Sequence, residues 1–396
     1  MTADQPVLLA GARTPMGRLQ GALAACSATD LGAVAIAGAI ERAGLTPGDV
    51  EFAYVGNVVA AGTGQVPARR ATHDAGIPLT VPSTLLNRAC LSGMHAIHLA
   101  TQMLRLGEAE VVVAGGMESM TNAPHLLTKA RAGYRIGDGT LVDSMMADGL
   151  TCTIEQCAMG EATERFAVEL ELGRERQDAF AAQSHQRAAT AQKDGLLAEE
   201  IVPVTIPQRR GEPVVVDDDE GIRPDADAGS MARLPAAFAP DGDITAGNAS
   251  QISDGAAAVV VTTRGRAEAL GVEPLAEIVS HGQVAGPDTS LLHQPSNAIA
   301  RALDAAGLTV GDLDLLEVNE AFAAVALASM DALGVDDDVV NVNGGAIALG
   351  HPIGMSGTRI ALTLALELRR RGGGLGAAGL CGGGGQGEAL VLRVAR

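Results

Sequence analysis

Two distant stretches read alike: AIERAGLTPGDVEFAYVGN at residues 39–57 and ALDAAGLTVGDLDLLEVNE at residues 302–320. They align at an offset of 263 residues without a gap. Each runs from a helix through AGLT and a Gly-Asp turn into an apolar strand. Further on, MLRLGEAEVVVAGG (103–116) lies opposite ELRRRGGGLGAAGL (367–380), at an offset of 264. Between these pairs, LNRACLSGMHAIHLATQML (86–104) falls opposite ALGHPIGMSGTRIALTLAL (348–366). Helix and strand alternate in one order in both halves, an α/β pattern with crossovers. The economical reading is two copies of one domain packed face to face.

The repeat puts two reactive side chains in matching turns. The turn into the long helix of the first copy carries Cys90, and its counterpart in the second copy carries His351. Packing about a pseudo-twofold axis would bring these turns face to face. The insert between the copies, about 121–249, differs in texture, with TERFAVELELGRERQDAFAAQSHQ and the acidic loop VVVDDDEGIRPDAD. It reads as a helical, loop-rich excursion. The expected organisation is an N-terminal domain of residues 1–120 with 250–272, a loop domain of 121–249 and a C-terminal domain of 273–396.

Composition narrows the function. At 396 residues the chain suits two or three domains. Hydrophobic residues at 47% and charged residues at 19% describe an ordinary folded protein. A formal net charge of −19 opposes nonspecific binding to nucleic acid or anionic membrane, while a local Arg cluster could still take an anionic ligand. Two Tyr, five Phe and no Trp argue against stacking platforms for single-stranded nucleic acid. No apolar run reaches the ~20 residues of a membrane span. The first residues lack a basic signal-peptide region and the last carry no targeting tripeptide, so the expected location is the cytoplasm. Five cysteines without a CxxC pair suit neither zinc nor a disulfide framework.

Three residues stand out by their neighbours. Cys90, in NRACLSGMHAI, lies at or near the N-terminus of a helix, where the dipole and free N–H groups lower a thiol's pKa and can bind an oxyanion. Taken alone, a buried structural cysteine fits that position slightly better. Cys381 enters CGGGGQG, a run with no neighbouring bulk to bury a thiol and no Lys-Ser/Thr of a phosphate-binding loop. His351, in GGAIALGHPIGMSG, is flanked by small residues, and Pro352 holds it towards extended conformations. Asn319, in EVNEAF, serves equally as a helix cap or as a water-holding catalytic group.

Taken together, these stretches resemble the thiolases, and within them the acetyl-CoA C-acetyltransferase (acetoacetyl-CoA thiolase) branch. The resemblance runs nearly end to end and rests on ARTPMG, NRACLSG, VVVAGGMESM, TAGNASQISDGAAA, NEAFA, GGAIALGHPIGMSG and CGGGGQG. It implies a thiolase fold, an α/β architecture of two βαβαβαββ domains stacked in αβαβα layers plus a loop domain. It implies reversible Claisen condensation of two acetyl-CoA to acetoacetyl-CoA and CoA, with no metal or redox cofactor. Cys90 would be the acylated nucleophile, His351 would take its proton, and Cys381 would act as acid and base on the second substrate. Asn319 would hold a water on the thioester oxygen, and the N–H groups of Cys90 and Gly383 would form a second oxyanion hole.

For coenzyme A the resemblance implies Ser250 near the pantetheine and Arg223 near the nucleotide. Ser230, Phe238, Ala246, Ala321 and Met159 would line the same tunnel. One departure stands out: family members often carry HMG in the loop contacting pantetheine, where this chain has Ala158-Met159-Gly160. The implied assembly is a homotetramer, a dimer of dimers. Two alternatives remain at this point: a degradative 3-ketoacyl-CoA thiolase of broader chain length, and a non-catalytic acyl-CoA-binding protein of the same fold. The loop RIGDGTLVDSMMADGLT favours the short-chain branch over the first, and the complete Cys–His–Cys set argues against the second.

Overall fold

The computed structural model describes residues 3–396. The first copy runs β1 (Pro6–Arg13), α1 (Ala28–Arg42), β2 (Phe52–Gly56), α2 (Pro67–Asp74), β3 (Ser83–Leu86), α3 (Ser92–Leu106) and β4 (Val111–Ser119). An excursion follows with two main helices, α4 (Met159–Glu169) and α5 (Arg174–Lys193), before β5 (Ser253–Thr263) returns to the sheet. The second copy runs β6 (Ala276–Ala285), α6 (Gln294–Ala306), β7 (Leu315–Val318), α7 (Ala323–Leu333), α8 (Ser356–Arg370), β8 (Gly374–Gly382) and β9 (Gln386–Val394).

The local signals repeat as the sequence does. Thr46 N–H and Oγ1 both donate to Asp49 Oδ2 at 2.7 Å, and Thr309 makes the same pair of contacts to Asp312 at 2.8 Å. Each closes the turn that feeds a strand. Strand order is β7-β8-β9-β6-β1-β5-β4-β2-β3, which mirrors about the β6/β1 junction. That junction is slight: only Val7 pairs with Glu277 and Leu8 with Ala276. The ladder is continuous there, a link the face-to-face reading does not include.

Strands buried on both faces explain the near-continuous apolar runs of β4 and β5. Val111 and Val113 pack towards α1 and α2, while Val112 and Ala114 pack towards α3 and α8. In the second half, Ala377, Ala389 and Val391 face α6 and α7, while Ala378, Leu390 and Leu392 face the same central helices. The result is five layers, α-β-α-β-α, with α3 and α8 in the middle. Their crossing is two-fold. A Cβ on Gly93 would lie 2.7 Å from Thr358 Oγ1, and one on Gly357 would lie 2.5 Å from Met94 N. Each contact is the other's repeat mate at offset 264, so the helix starts that carry the candidate residues are forced together.

The second copy lacks a full third strand. Only an isolated bridge, Leu316 to Val340, stands where β3 has its counterpart. Asn341, with φ +47°, turns the chain away, and its side chain pairs both backbone groups of Val318 at 2.8 Å. The amide replaces the missing strand neighbour. Among the described residues no helix is long and apolar enough to cross a membrane.

Candidate active site

After β3 the chain turns sharply through Asn87, Arg88 and Ala89 before α3 begins. Ala89 has φ +48°, a left-handed conformation that costs a non-glycine residue of order 1–3 kcal/mol. Three contacts hold it. Ala89 N–H donates to Asn87 Oδ1 at 3.0 Å, Ser92 Oγ donates to Ala89 O at 2.6 Å, and Arg88 N–H donates to Ser92 Oγ at 2.8 Å. This turn presents Cys90 just ahead of the helix. Gly383 lies across from it: a Cβ on Gly383 would be 3.7 Å from Ala89 Cβ, and one on Gly382 2.6 Å from Leu91.

Burial pushes the Cys90 thiol up to about 11, against the N–H groups of Cys90 itself and Gly383, which pull it down. The sequence expectation of a lowered pKa at a helix start is therefore corrected. The N–H groups act in the expected direction, but desolvation of the thiolate outweighs them. Cys381, near the end of β8, is fully buried. Burial raises its pKa well above the ordinary thiol range, and the charge of a Cys90 thiolate raises it further. The two sulfurs are electrostatic neighbours, and both are protonated at rest.

His351 is buried, and burial followed by the Arg359 charge brings it down to about 4. The ring is neutral. Its Nδ1 lies 2.6 Å from Ser356 Oγ, which in turn donates to Pro352 O at 3.0 Å. A carbonyl only accepts, so the single hydroxyl proton points to Pro352 and Nδ1–H must donate to Ser356. That leaves a lone pair on Nε2, which has no hydrogen-bond partner among the described residues. Ile353, two residues on, packs in the apolar cluster that Cys90 touches. The backbone N–H of His351 donates to Gln251 O at 3.2 Å.

Asn319 sits between β7 and α7, its N–H on Gly379 O at 3.0 Å. Its side chain is fully buried, and neither Oδ1 nor Nδ2 has a partner among the described residues. Buried amides are almost always paired, so this one is available to a ligand or water. The cap alternative falls away, because α7 starts at Ala323 behind Phe322 and takes no side-chain cap.

A cavity of about 650 Å³ has none of Cys90, His351, Cys381, Asn319 or Gly383 on its wall and meets the cluster around Cys90 through Leu150 and Ile252. Of the expected coenzyme A contacts, Arg223, Phe238, Ala246, Ser250 and Met159 line it, as does Ala158. Ser230 and Ala321 are not on its wall. The Ser230 hydroxyl donates to Asp227 O at 2.8 Å in the cap of the short helix Ala228–Ala232. Ala321 O accepts the Ser250 N–H at 3.0 Å and so places Ser250 indirectly. Two wall residues were not singled out from the stretches that carry them: Leu150 and Ile252 line the cavity and also pack in the cluster around Cys90, joining the two. Phe322 meets Phe238 edge-on at 6.2 Å, and a Cβ on Gly160 would overlap that ring. Arg18 and Arg223 put two cations on the wall of a strongly acidic chain. Among the described residues no group of three His, Cys, Asp or Glu side chains is arranged to hold a metal ion.

The family profile of the thiolase N-terminal domain matches residues 7–265, and that of the thiolase C-terminal domain matches residues 272–394. The chain belongs to the thiolase family. A Mycolicibacterium smegmatis protein named "Probable acetyl-CoA acetyltransferase" is 57% identical over 387 residues, covering 98% of this chain and 100% of that protein. Proteins named "Acetyl-CoA acetyltransferase" from Chromobacterium violaceum and Cupriavidus necator are each 49% identical. They cover 97% and 98% of this chain, and 98% of their own lengths. In this thiolase, two further groups order the site and escaped sequence reading. Ser356 was visible five residues after His351 as a nearby hydroxyl, whereas Glu118 meets the His351 loop only through tertiary structure.

Proposed function

We propose that this thiolase catalyses reversible condensation of two acetyl-CoA to acetoacetyl-CoA and CoA, through an acetyl thioester on Cys90. The observation that carries the reading is the pairing of two neighbouring thiols, Cys90 half-buried and Cys381 buried, with a loop packed against Cys90 whose neutral imidazole has a free Nε2. His351 Nε2 takes the Cys90 proton as the sulfur attacks the first thioester carbonyl. The oxyanion forms against the N–H groups of Cys90 and Gly383. Collapse expels the CoA thiolate, which takes its proton from Cys381. The His351 proton stays in place, so Nε2–H, with a water on Asn319, can hold the carbonyl oxygen of the second acetyl-CoA. The Cys381 thiolate removes that molecule's α-proton, and the carbanion attacks acetyl-Cys90. The Cys90 thiolate leaves and recovers its proton from His351. Every proton is returned within the site, and no metal or redox cofactor is a reactant in these steps.

Initial rates with acetoacetyl-CoA and longer 3-ketoacyl-CoAs, at one CoA concentration, test the reading. The highest kcat/KM is expected for acetoacetyl-CoA. A higher value for longer chains would replace it with a degradative thiolase of broader range, an outcome for which Ala158 on the cavity wall would supply the space. The same rates should hold as pH falls until about 4, where His351 protonates and cannot take the Cys90 proton. An ordinary imidazole would lose them from about 6.5.

The proposed assembly is a homotetramer. Support comes from the exposed apolar side chains Leu127 (43%), Ile136 (101%), Leu141 (62%) and Ile154 (67%), which a second copy could cover. Light scattering at micromolar concentration is expected to give four chains, and a one-chain mass would overturn it. The proposed setting is the cytoplasm, whose reducing poise keeps catalytic thiols free.

A further inference from the structure

The segment carrying His351 is held on both sides by fully buried carboxylates. Upstream, Glu320 Oε2 accepts the Ile347 N–H at 3.0 Å and the Ser184 hydroxyl at 2.7 Å, while Oε1 accepts Asn341 Nδ2 at 2.8 Å. Downstream, Glu118 Oε2 accepts the Gly354 N–H at 2.9 Å. Glu320 belongs to the same copy as His351, but Glu118 belongs to the copy that carries Cys90. The same Glu118 carboxylate accepts Val58 N–H on Oε2 at 3.0 Å, and Val59 N–H at 3.0 Å and Asn57 Nδ2 at 2.6 Å on Oε1. Val58 and Val59 form the apolar cluster against which Cys90 packs. One carboxylate thus grips the backbone under the nucleophile and the backbone of the histidine loop.

The loop is also seated. A Cβ on Gly56 would lie 2.7 Å from the Gly354 carbonyl oxygen, one on Gly93 3.0 Å from it, and one on Gly116 would overlap it. Three elements of the first copy therefore forgo side chains where this loop enters. Burial pushes the Glu118 carboxyl up to about 7, opposed by the Val58, Val59, Gly354 and Asn57 donors; with two donors on each oxygen no acceptor is left for a carboxyl proton, so the geometry fits the ionised form. Position 57 is the mate of 320 at offset 263, and position 118 is the mate of 382 at the offset of 264 that its strand follows. The second copy carries its carboxylate, Glu320, where the first has Asn57, and has Gly382 where the first has Glu118.

We propose that Glu118 is a positioning residue that sets His351 Nε2 against the Cys90 thiol across the boundary between the two copies. The inference rests on the reading of Cys90 and His351 as nucleophile and base. Glu118→Gln keeps the volume but turns an amide N–H₂ towards backbone donors, so the loop must move. A misplacement near 1 Å can cost about 10²-fold in rate.

The test is the rate of iodoacetamide alkylation at Cys90, mapped by mass spectrometry at neutral pH, beside kcat and KM for acetoacetyl-CoA thiolysis. Alkylation and kcat are each expected to fall by roughly 10²-fold, with KM nearly unchanged. Glu118→Asp, which keeps the charge, should recover part of both. Gly354→Ala is a second route. Its Cβ would lie 2.9 Å from Glu118 Oε2 and Met117 O, lifting the loop with the carboxylate intact, and the same losses are expected. Wild-type alkylation and kcat in a folded Glu118→Gln enzyme would overturn the inference. So would a loss in which KM rises as far as kcat falls. If Glu118→Gln does not fold, Gly354→Ala decides on the same criteria. Alkylation involves no acyl-CoA, so it reads the Cys90–His351 pair even if the acetyl-CoA reading fails.

Discussion

Cys90→Ser is expected to remove both acetyl exchange between CoA molecules and acetoacetyl-CoA formation, by about 10⁴-fold or more. Burial and Arg359 bring His351 down to about 4, so it is a weak proton acceptor at rest. A thiol held up at about 11 already asks much of that base, and it succeeds only because the imidazolium and thiolate form beside each other with two N–H groups on the sulfur. A serine hydroxyl is several pKa units harder to ionise and draws the same help. The substitution changes one atom in a position fixed by the Ala89 turn, so the fold should persist. Both rates should fall together, because every turnover passes through the acyl-enzyme. Mass spectrometry after incubation with acetyl-CoA should find the wild-type acetyl group on Cys90 and none on the serine variant. An acetyl group on Cys381 alone, with Cys90 unmodified, would reverse the roles assigned here.

What was legible in the sequence was what is encoded locally or repeated. The Thr46–Asp49 and Thr309–Asp312 turns are four residues long, so the helix–turn–strand unit they close is readable twice. Cys90, His351 and Cys381 stand out because small or flexible residues flank them in sequence, although packing from other elements buries His351 and Cys381. What was not legible depends on distance in the chain. Glu118 meets Gly354 across 236 positions, and nothing near ESM announces that contact. Leu150 and Ile252 join the cavity to Cys90 from segments about a hundred residues apart. The direction of the Cys90 shift could not be read either. A helix start is visible in sequence, but the desolvation that outweighs it is a property of the packed interface. Asn341 replaces a strand by its own amide, a substitution that no pattern of alternating residues reports.

Cys381→Ala should separate the two half-reactions that Cys90→Ser removes together. Cys381 forms no bond to the acyl group during its transfer to Cys90. Its part there is to return a proton to the departing CoA sulfur, and a thiolate leaves readily without one. Acetyl exchange from acetyl-CoA to labelled CoA should therefore survive within about 10-fold, the rate equivalent of one ordinary hydrogen-bond or proton contact. Condensation is different, because a carbon-bound proton must be removed and no other base is placed for it. His351 is already protonated in the acyl-enzyme, and Asn319 has no basic lone pair. Loss of a positioned proton-transfer group typically costs 10²–10⁴-fold, and acetoacetyl-CoA formation should slow by that factor. His351→Ala, in contrast, should damage both, since the same Nε2 takes the Cys90 proton and later holds the second thioester oxygen. The measurement pairs exchange with condensation for each variant, with circular dichroism to confirm the fold. If Cys381→Ala lost exchange as completely as condensation, Cys381 would have to be essential to the first acyl transfer, and the two thiols would share one task rather than divide two.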